Sequence, residues 1–224
     1  MNTFNTTYDT PARAGEAIAD DRARELLGRV MGLVAVTVGF TALGAYLGRD
    51  LSGATGLVLF IGAFAVTFGL NSATARGREQ LATGLLFALG LLLGLATAPV
   101  IADYAKADPS ALWQAAGATA AFVAATGAYG YATRRDLSAW GRTLFWALLA
   151  LIAFGLAAIF VAIPAGNVIY AVAGIVIFGA YTILDFNRLR RSAPDAAVPI
   201  AAGIFLDVFN VFLLVLDLFA GQRD

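Results

Sequence analysis

Long apolar runs separated by short polar segments extend over most of the chain. A helix needs about 20 mostly apolar residues to cross the hydrocarbon core of a bilayer. Seven runs meet that length, at residues 27–47, 54–74, 80–101, 111–132, 139–162, 166–187 and 198–220. The segments between them are short and rich in the Gly, Pro, Asp, Asn and Ser residues that are typical of turns. The pattern therefore predicts an all-α membrane protein with seven transmembrane helices and no folded domain between them.

The N-terminal segment is polar instead. Residues 1–25 contain five acidic residues and three arginines, and they lack the apolar run of a cleaved signal peptide. Such mixed charge is typical of a solvated, partly disordered tail. The sequence therefore predicts two regions, a polar cytoplasmic tail at residues 1–25 and a seven-helix transmembrane domain at residues 26–221.

Basic residues divide unevenly between the two sides of the predicted bundle. Cytoplasmic loops of membrane proteins collect Lys and Arg. With the N-terminus in the cytoplasm, only Arg49, Lys106 and Arg223 fall outside. Twelve arginines fall inside: Arg13, Arg22, Arg24, Arg29, Arg76, Arg78, Arg134, Arg135, Arg142, Arg188, Arg190 and Arg191. We therefore expect a protein of the cell membrane (inner or plasma membrane) with its N-terminus in the cytoplasm and its C-terminus outside.

Composition agrees with a membrane protein and narrows its chemistry. Hydrophobic residues make up 60% of the chain, charged residues 13%, and the mean hydropathy is +0.78. The net charge is zero, so no basic excess indicates a nucleic-acid partner. The absence of Cys and His excludes disulfides, thiol nucleophiles and imidazole bases. Carboxylates, hydroxyls, amides and arginines remain for any chemistry, and no cofactor is expected.

Three acidic residues lie within or beside the last two apolar runs. A charge at the bilayer centre costs about 2.5 to 3.5 kcal/mol on insertion scales, so such residues usually mark ion or proton pathways. Asp207 lies about 12 Å into the seventh helix, eight residues past Pro199. Asp217 lies near the outer interface, where a polar side chain reaches headgroups or water at little cost. Asp185 lies one turn before Arg188, with which it can form a local ion pair.

Asp185 and Asp207 are expected to meet. The segment from 188 to 197 is short, so the sixth and seventh helices are antiparallel neighbours with both acids in their cytoplasmic halves. Two carboxylates in contact share one proton and titrate in two steps, which makes the pair a proton-sensitive latch. When doubly ionised, the same pair attracts Ca²⁺, which prefers oxygen ligands.

Two stretches in this region resemble a known family. The sequences AYTILDFNRLRR and FLDVFNVFLLVLD resemble the Bax inhibitor-1 family, also called the transmembrane Bax inhibitor motif proteins, and in particular its short bacterial members. The third-helix stretch GLATAPVI is similar to a glycine-containing family segment that ends in proline. The positions that match the family in the last two helices are Tyr181, Asp185, Leu206, Asp207, Phe209, Asn210 and Phe212.

The resemblance implies a fold and a function. It implies a central seventh helix surrounded by the others, and a pH-sensitive calcium leak channel whose sensor is an aspartate pair near the cytoplasmic mouth, here Asp185 and Asp207. It also implies an arginine at the end of the second helix that switches between partners of the pair, either Arg76 or Arg78. The expected partners are lipid, protons and Ca²⁺, and the expected neighbours of the gate are Tyr181, Arg78, Arg188 and Asn210.

Two other functions have a basis in the sequence. Intramembrane aspartyl proteases also place one catalytic aspartate in a sixth helix and one in a seventh. Here Phe205 and Leu206 precede Asp207 in place of their glycine-x-glycine context, and their proline-alanine-leucine stretch is missing. We therefore expect no enzyme. Family members also resemble modulators that bind a membrane protease or a cell-death factor, and the tail at 1–25 is the segment long enough to act as an adaptor.

Overall fold

Helices account for nearly all of the described chain. A computed structural model describes residues 11–161 and 163–220. Within that part there are seven long α-helices, a short 3-10 helix at Pro194–Ala196 and no strand. The long helices are α1 (Pro11–Leu47), α2 (Gly53–Ala75), α3 (Glu79–Ala107), α4 (Pro109–Ala132), α5 (Trp140–Phe160), α6 (Gly166–Leu189) and α7 (Ala197–Ala220). The all-α prediction is confirmed.

Six of these helices are long and apolar enough to cross a membrane, and α4 is the exception. It has 24 residues and so extends about 36 Å, but Ala, Gly and Thr lower its mean hydropathy. Its buried positions follow one face at a spacing of mostly four residues: Ala111, Ala115, Thr119, Val123, Gly127 and Gly130. Small side chains on that face let neighbouring helices approach closely. The structure thus supports six spans directly and is compatible with seven.

The first helix begins earlier than the sequence pattern indicated. The predicted tail covered residues 1–25, whereas α1 is continuous from Pro11 to Leu47 and the apolar span within it begins at Asp21. Proline is favoured at the first helical position, and the Ala, Arg and Glu residues that follow it are strong helix formers. Residues 1–10 of the predicted tail lie outside the described residues.

A second difference occurs between α3 and α4. The pattern predicted the end of the third helix near residue 101, yet α3 continues through Pro99 to Ala107. Asp108 alone separates the two helices. Its carboxylate accepts hydrogen bonds from the Ser110 backbone N–H at 3.0 Å and from the Ser110 hydroxyl at 2.6 Å, and so caps the start of α4.

Consecutive helices run antiparallel. Close contacts at glycines fix the register between helices that are two apart in the sequence. Gly94 of α3 lies on the backbone of α1: a Cβ there would lie 2.9 Å from the carbonyl carbon of Thr41 and would overlap its oxygen. Gly130 of α4 lies on α6 in the same way, since a Cβ would lie 2.9 Å from the Cα of Ile183. Both contacts join helices two apart in sequence, which therefore run parallel.

Helix α7 is the centre of the bundle. It contacts α1, α2, α3, α4 and α6, whereas α5 lies mainly against α6. More than half of its apolar window is buried, a larger share than in any other candidate span. Its residues contribute to all three buried apolar clusters found among the described residues. These contacts agree with the prediction of a central seventh helix, and its acid Asp207 is buried in the core of the protein.

Candidate functional site

One end of the bundle carries most of the positive charge. At this end α2, α4 and α6 terminate and α3, α5 and α7 begin. Eleven arginines among the described side chains lie at or near this end: Arg22, Arg24, Arg29, Arg76, Arg78, Arg134, Arg135, Arg142, Arg188, Arg190 and Arg191. Arg49 and Lys106 lie at the opposite end. We call the arginine-rich end the basic end of the bundle.

Asp207 is a buried acid at the core of α7. Asp207 is only 5% exposed, and its Oδ2 atom has no hydrogen-bond partner among the described residues. The fully buried Thr182 of α6 lies beside it, but the Thr182 hydroxyl donates to the Phe178 carbonyl oxygen of its own helix at 2.8 Å. A buried oxygen without a partner is costly, so a functional role explains its presence better than a structural one.

Asp185 reaches the same level of the bundle from α6. Its carboxylate lies directly on the bare backbone of Gly203 in α7, where a Cβ would overlap Oδ2 and would lie 3.2 Å from Cγ. Gly203 is one helical turn before Asp207, so the two carboxyl groups lie near each other and their charges interact. The structure thus brings Asp185 and Asp207 together, and Gly203 makes the space for their approach.

Tyr181 completes the polar cluster. It lies one turn before Asp185 in α6, half-buried, and is near enough to interact with the charges of both acids. Its ring lies 6.4 Å from that of Phe178, which holds it against the helix. The predicted place of Tyr181 beside the pair therefore agrees with the structure.

The predicted arginine partners lie farther away. Arg188 is exposed and close enough to act on the charge of Asp185, without a direct ion pair between them in the described part of the chain. Arg76 is exposed at the end of α2, and its Nη1 donates to the Ser72 hydroxyl at 2.6 Å. Arg78 is exposed just before α3. Neither Arg76 nor Arg78 reaches the pair in this structure.

Asn210 turns back to its own helix. Its Nδ2 donates to the Leu206 carbonyl oxygen at 2.7 Å, the residue four positions earlier in α7. The sequence predicts that Asn210 lies on the face of Asp207 as a polar neighbour. In this structure the amide stabilises the backbone of α7 instead of pairing with the acid.

An apolar seal separates the pair from the basic end. Five of its members are at most 2% exposed and come from four helices: Leu70 of α2, Leu86 of α3, Leu189 of α6, and Val198 and Ile204 of α7. At the level of the pair, Phe205 and Phe209 of α7 pack with Leu89 and Leu93 of α3. The pair therefore lies beside two buried apolar clusters.

The site does not resemble a high-affinity metal site. Among the described residues there is no group of three or more acidic side chains placed to hold a metal ion. Ca²⁺ takes six to eight oxygen ligands, and the pair supplies two carboxylates with Tyr181 and Thr182 as further oxygens. The pair therefore does not by itself complete the coordination sphere of Ca²⁺.

Asp217 has a defined partner at the opposite end. The Tyr104 hydroxyl near the end of α3 donates to its Oδ1 at 3.4 Å, and both residues are half-buried. The sequence predicts that this acid reaches headgroups or water. In the structure it joins α7 to α3, and it is separate from the Asp185–Asp207 pair.

The structure also shows a polar clamp that sequence reasoning missed. Asn187, 2% exposed, lies at the end of α6 and holds the segment between α4 and α5. Its Nδ2 donates to the carbonyl oxygens of Thr133 at 2.9 Å and Arg135 at 3.1 Å, and its Oδ1 accepts from the Leu137 N–H at 3.3 Å. A single asparagine beside an arginine cluster carries no spacing signal that would have identified it.

Arg191 adds a second attachment to the same segment. Its Nη2 donates to the Arg134 carbonyl oxygen at 2.7 Å, and its Nη1 lies 3.5 Å from Oδ2 of Asp136. Hydrogen bonding from Ser138, whose backbone N–H donates to Oδ1 at 2.9 Å, lowers the pKa of Asp136, and the charge of Arg191 contributes in the same direction. The end of α6 is thus anchored close to the acid pair.

Comparisons with known proteins agree with this architecture. The family model described as inhibitor of apoptosis-promoting Bax1 matches residues 23–224. The inner membrane protein YbhL of Escherichia coli (strain K12) is 24% identical over 176 residues, which is 74% of each chain. The Golgi anti-apoptotic protein of vaccinia virus (strain Lister) is 36% identical over 101 residues, 45% of this chain and 42% of the viral protein.

A third relative is an uncharacterized protein of Helicobacter pylori (strain ATCC 700392 / 26695). It is 30% identical over 162 residues, 72% of this chain and 70% of its own length. The matches therefore cover the helical region and include a protein of the bacterial inner membrane.

Proposed function

Because the chain belongs to the Bax inhibitor-1 family of membrane proteins, we propose that it is a pH-sensitive calcium leak channel gated by Asp185 and Asp207. One observation carries the proposal. Asp207 is 5% exposed, one of its oxygens has no hydrogen-bond partner in the described part of the chain, and a second acid lies one turn earlier against the central helix. Such a pair has no evident structural use, and a shared proton gives it a functional one.

Protonation of the pair controls the seal. In the enclosed state the two carboxyl groups lie together in a site of low dielectric, where one shared proton allows them to remain close. Loss of that proton leaves two negative charges side by side, and their repulsion is strong where water is excluded. The repulsion drives α6 away from α7 at Gly203. The adjacent seal, to which Leu189 and Val198 belong, then loosens and opens a path from the basic end.

Arginines supply the counter-charge for the open state. Arg76 is exposed at the end of α2 and is held by a single neutral hydroxyl, Ser72, so it exchanges that partner for a carboxylate at little cost. Arg78 and Arg188 lie at the same end as alternative partners. The basic end faces the cytoplasm, since cytoplasmic loops collect arginine. All seven helices span the membrane, with the C-terminus outside.

Calcium flux into liposomes tests this function. The purified full-length protein is reconstituted with a trapped calcium dye, and influx is followed at equal inside and outside pH from 5 to 8. Flux of the parent is expected to rise by at least about fivefold from pH 5 to pH 8, because deprotonation of the pair shifts the population to the open state. In Asp185→Asn and Asp207→Asn the pair cannot carry two negative charges, so flux stays low at every pH.

Asp217→Asn is the matched control. It removes an intramembrane carboxylate from the same central helix, but one that pairs with Tyr104 at the opposite end. Its flux should keep the pH dependence of the parent. Identical flux profiles for the parent and both pair variants would show that the acids do not form the gate. A pH profile lost equally in Asp217→Asn would assign it to general destabilisation of α7.

A second role is favoured by one relative. The vaccinia virus relative carries the name Golgi anti-apoptotic protein, which points to a modulator that binds a membrane protease or a cell-death factor without conducting ions. Neither role requires the pair to catalyse a reaction, and we propose none. The flux assay separates the two, because a modulator without conductance leaves parent liposomes at the flux of empty ones.

A further inference from the structure

A basic cleft opens at the basic end of the bundle, apart from the acid pair. Its volume is about 250 Å³, and it is lined by Arg24, Tyr131, Ala132, Arg134 and Arg190. These residues come from α1, from the end of α4 with the segment after it, and from the residue that ends α6. Three arginines on separate elements thus line one cavity.

The surrounding contacts position these arginines. Arg190 donates from Nη1 to the Tyr131 carbonyl oxygen at 3.4 Å, which fixes it on the cleft wall. Arg134 is anchored through its own carbonyl oxygen by Arg191 at 2.7 Å, and this contact does not involve its side chain. Arg24 lies 3.9 Å from Asp21, a pair whose side chains are 76% and 79% exposed. Such an exposed ion pair is weak, so Arg24 can turn to a stronger anion.

We propose that this cleft binds the phosphate of an anionic phospholipid headgroup from the leaflet at the basic end. Arginine binds phosphate oxygens through two parallel hydrogen bonds, and three arginines offer more such bonds to a headgroup than one. Basic pockets between transmembrane helices at this level are the usual place for anionic headgroups. Tyr131 at the cleft suits the membrane interface, where aromatic rings with a polar tip concentrate.

The size of the cleft favours a headgroup over a bare phosphate ion. A volume of about 250 Å³ is roughly eight times the share of one water molecule in the liquid. It therefore accommodates a glycerophosphate with its attached glycerol. Because the cleft opens at the level where α4 and α6 end, the acyl chains of such a lipid extend along the apolar helices beside it. This site does not depend on the channel proposal.

Native mass spectrometry of the full-length protein in detergent tests the assignment. The protein is titrated with phosphatidylglycerol and, separately, with phosphatidylcholine of the same chain length. The parent should retain phosphatidylglycerol preferentially. Arg24→Gln and Arg134→Gln should each weaken its binding by about fivefold, since each removes one charge-assisted contact. Asp21→Asn should strengthen binding, because it releases Arg24 from its exposed partner.

Two controls remove the same charge outside the cleft. Arg22→Gln lies on α1 two residues from Arg24, about 200° around the helix, and Arg142→Gln lies on α5. Neither residue lines the cleft, and both variants should bind as the parent does. Glycerol phosphate is added as a competitor to distinguish a soluble phosphate from a lipid.

Three results would overturn the proposal. The first is equal loss of phosphatidylglycerol in the cleft and control variants, which would indicate general attraction to the basic end. The second is competition by glycerol phosphate at the concentration of the lipid itself, which would assign the cleft to a soluble ligand. The third is retention of both lipids to the same extent by the parent. Selective loss in Arg24→Gln and Arg134→Gln, with gain in Asp21→Asn, supports it.

Discussion

Replacing Gly94 with alanine should destabilise the protein by about 2 kcal/mol. The added Cβ would overlap the Thr41 carbonyl oxygen and would lie 3.0 Å from the Ala45 backbone nitrogen. Both neighbours are main-chain atoms of α1, so no side chain can rotate to make room. Helices α1 and α3 would have to separate along a contact that also includes Gly44 and Gly90. The free energy of unfolding in mixed detergent micelles measures the loss.

Gly84→Ala makes the same chemical change on the same helix. A Cβ at this position has no neighbour within 4 Å. Alanine is the better helix former by about 0.8 to 1 kcal/mol, so this variant should be as stable as the parent or more stable. Equal stability losses in both variants would mean that the close approach of α1 and α3 is not what Gly94 provides.

Replacing Asn187 with leucine should cost about 3 kcal/mol. The change removes bonds to the Thr133 and Arg135 carbonyl oxygens and to the Leu137 N–H at a residue that is 2% exposed. These backbone groups would remain without a partner, and that loss is larger than the gain from a more apolar side chain. Thermal unfolding reports the stability loss, and hydrogen exchange at residues 133–139 should rise with it.

Asn210→Leu is the matched control for this change. Within residues 11–161 and 163–220, the Asn210 amide bonds only to the Leu206 carbonyl oxygen of its own helix. Loss of this bond releases no segment between helices. It should lower the free energy of unfolding by less than about 1 kcal/mol. If Asn187→Leu proves equally mild, with unchanged exchange at residues 133–139, the clamp between α6 and the α4–α5 segment does not hold the fold.

The apolar pattern predicted most helix boundaries because membrane spans have a minimum length. Helices α2, α4, α5, α6 and α7 begin and end within two residues of the predicted runs. The start of α1 and the end of α3 were missed for a physical reason. Residues 11–25 and 102–107 are too polar for the bilayer core, yet they have enough helix propensity to continue the helix beyond it. Hydropathy reports where a helix meets lipid, not where it ends.

The candidate site was partly visible in the sequence. Buried acids on adjacent antiparallel helices predict an encounter, and the structure places Asp185 against the turn before Asp207. Gly203, which makes room for that carboxylate, was not identified, since glycines occur throughout the chain. The position of Arg76 was also beyond prediction. Its helix end was known, but the direction of a long exposed side chain depends on its neighbours, here Ser72.

Gating by the acid pair requires a pH-driven separation of α6 from α7 at the basic end. The protein has no cysteine, so spin labels can be attached at introduced cysteines alone. Exposed Ala193, four residues after the end of α6, follows the movement of α6, and exposed Gln80 at the start of α3 gives a point on a neighbouring helix at the same end. Exposed Ala54 and Ala107 give a reference pair at the opposite end. Each pair is replaced by two cysteines in the full-length protein.

The most direct test is the distance between labels at positions 80 and 193 in lipid nanodiscs at pH 5 and pH 8, measured by double electron–electron resonance. We predict a distance that is longer at pH 8 by about 2 Å or more in the parent, consistent with helix shifts in switching proteins. Asp207→Asn should keep the short distance at both pH values, and the reference pair should not change. The same distance at both pH values in the parent, or an equal change in Asp207→Asn, would contradict gating by the acid pair.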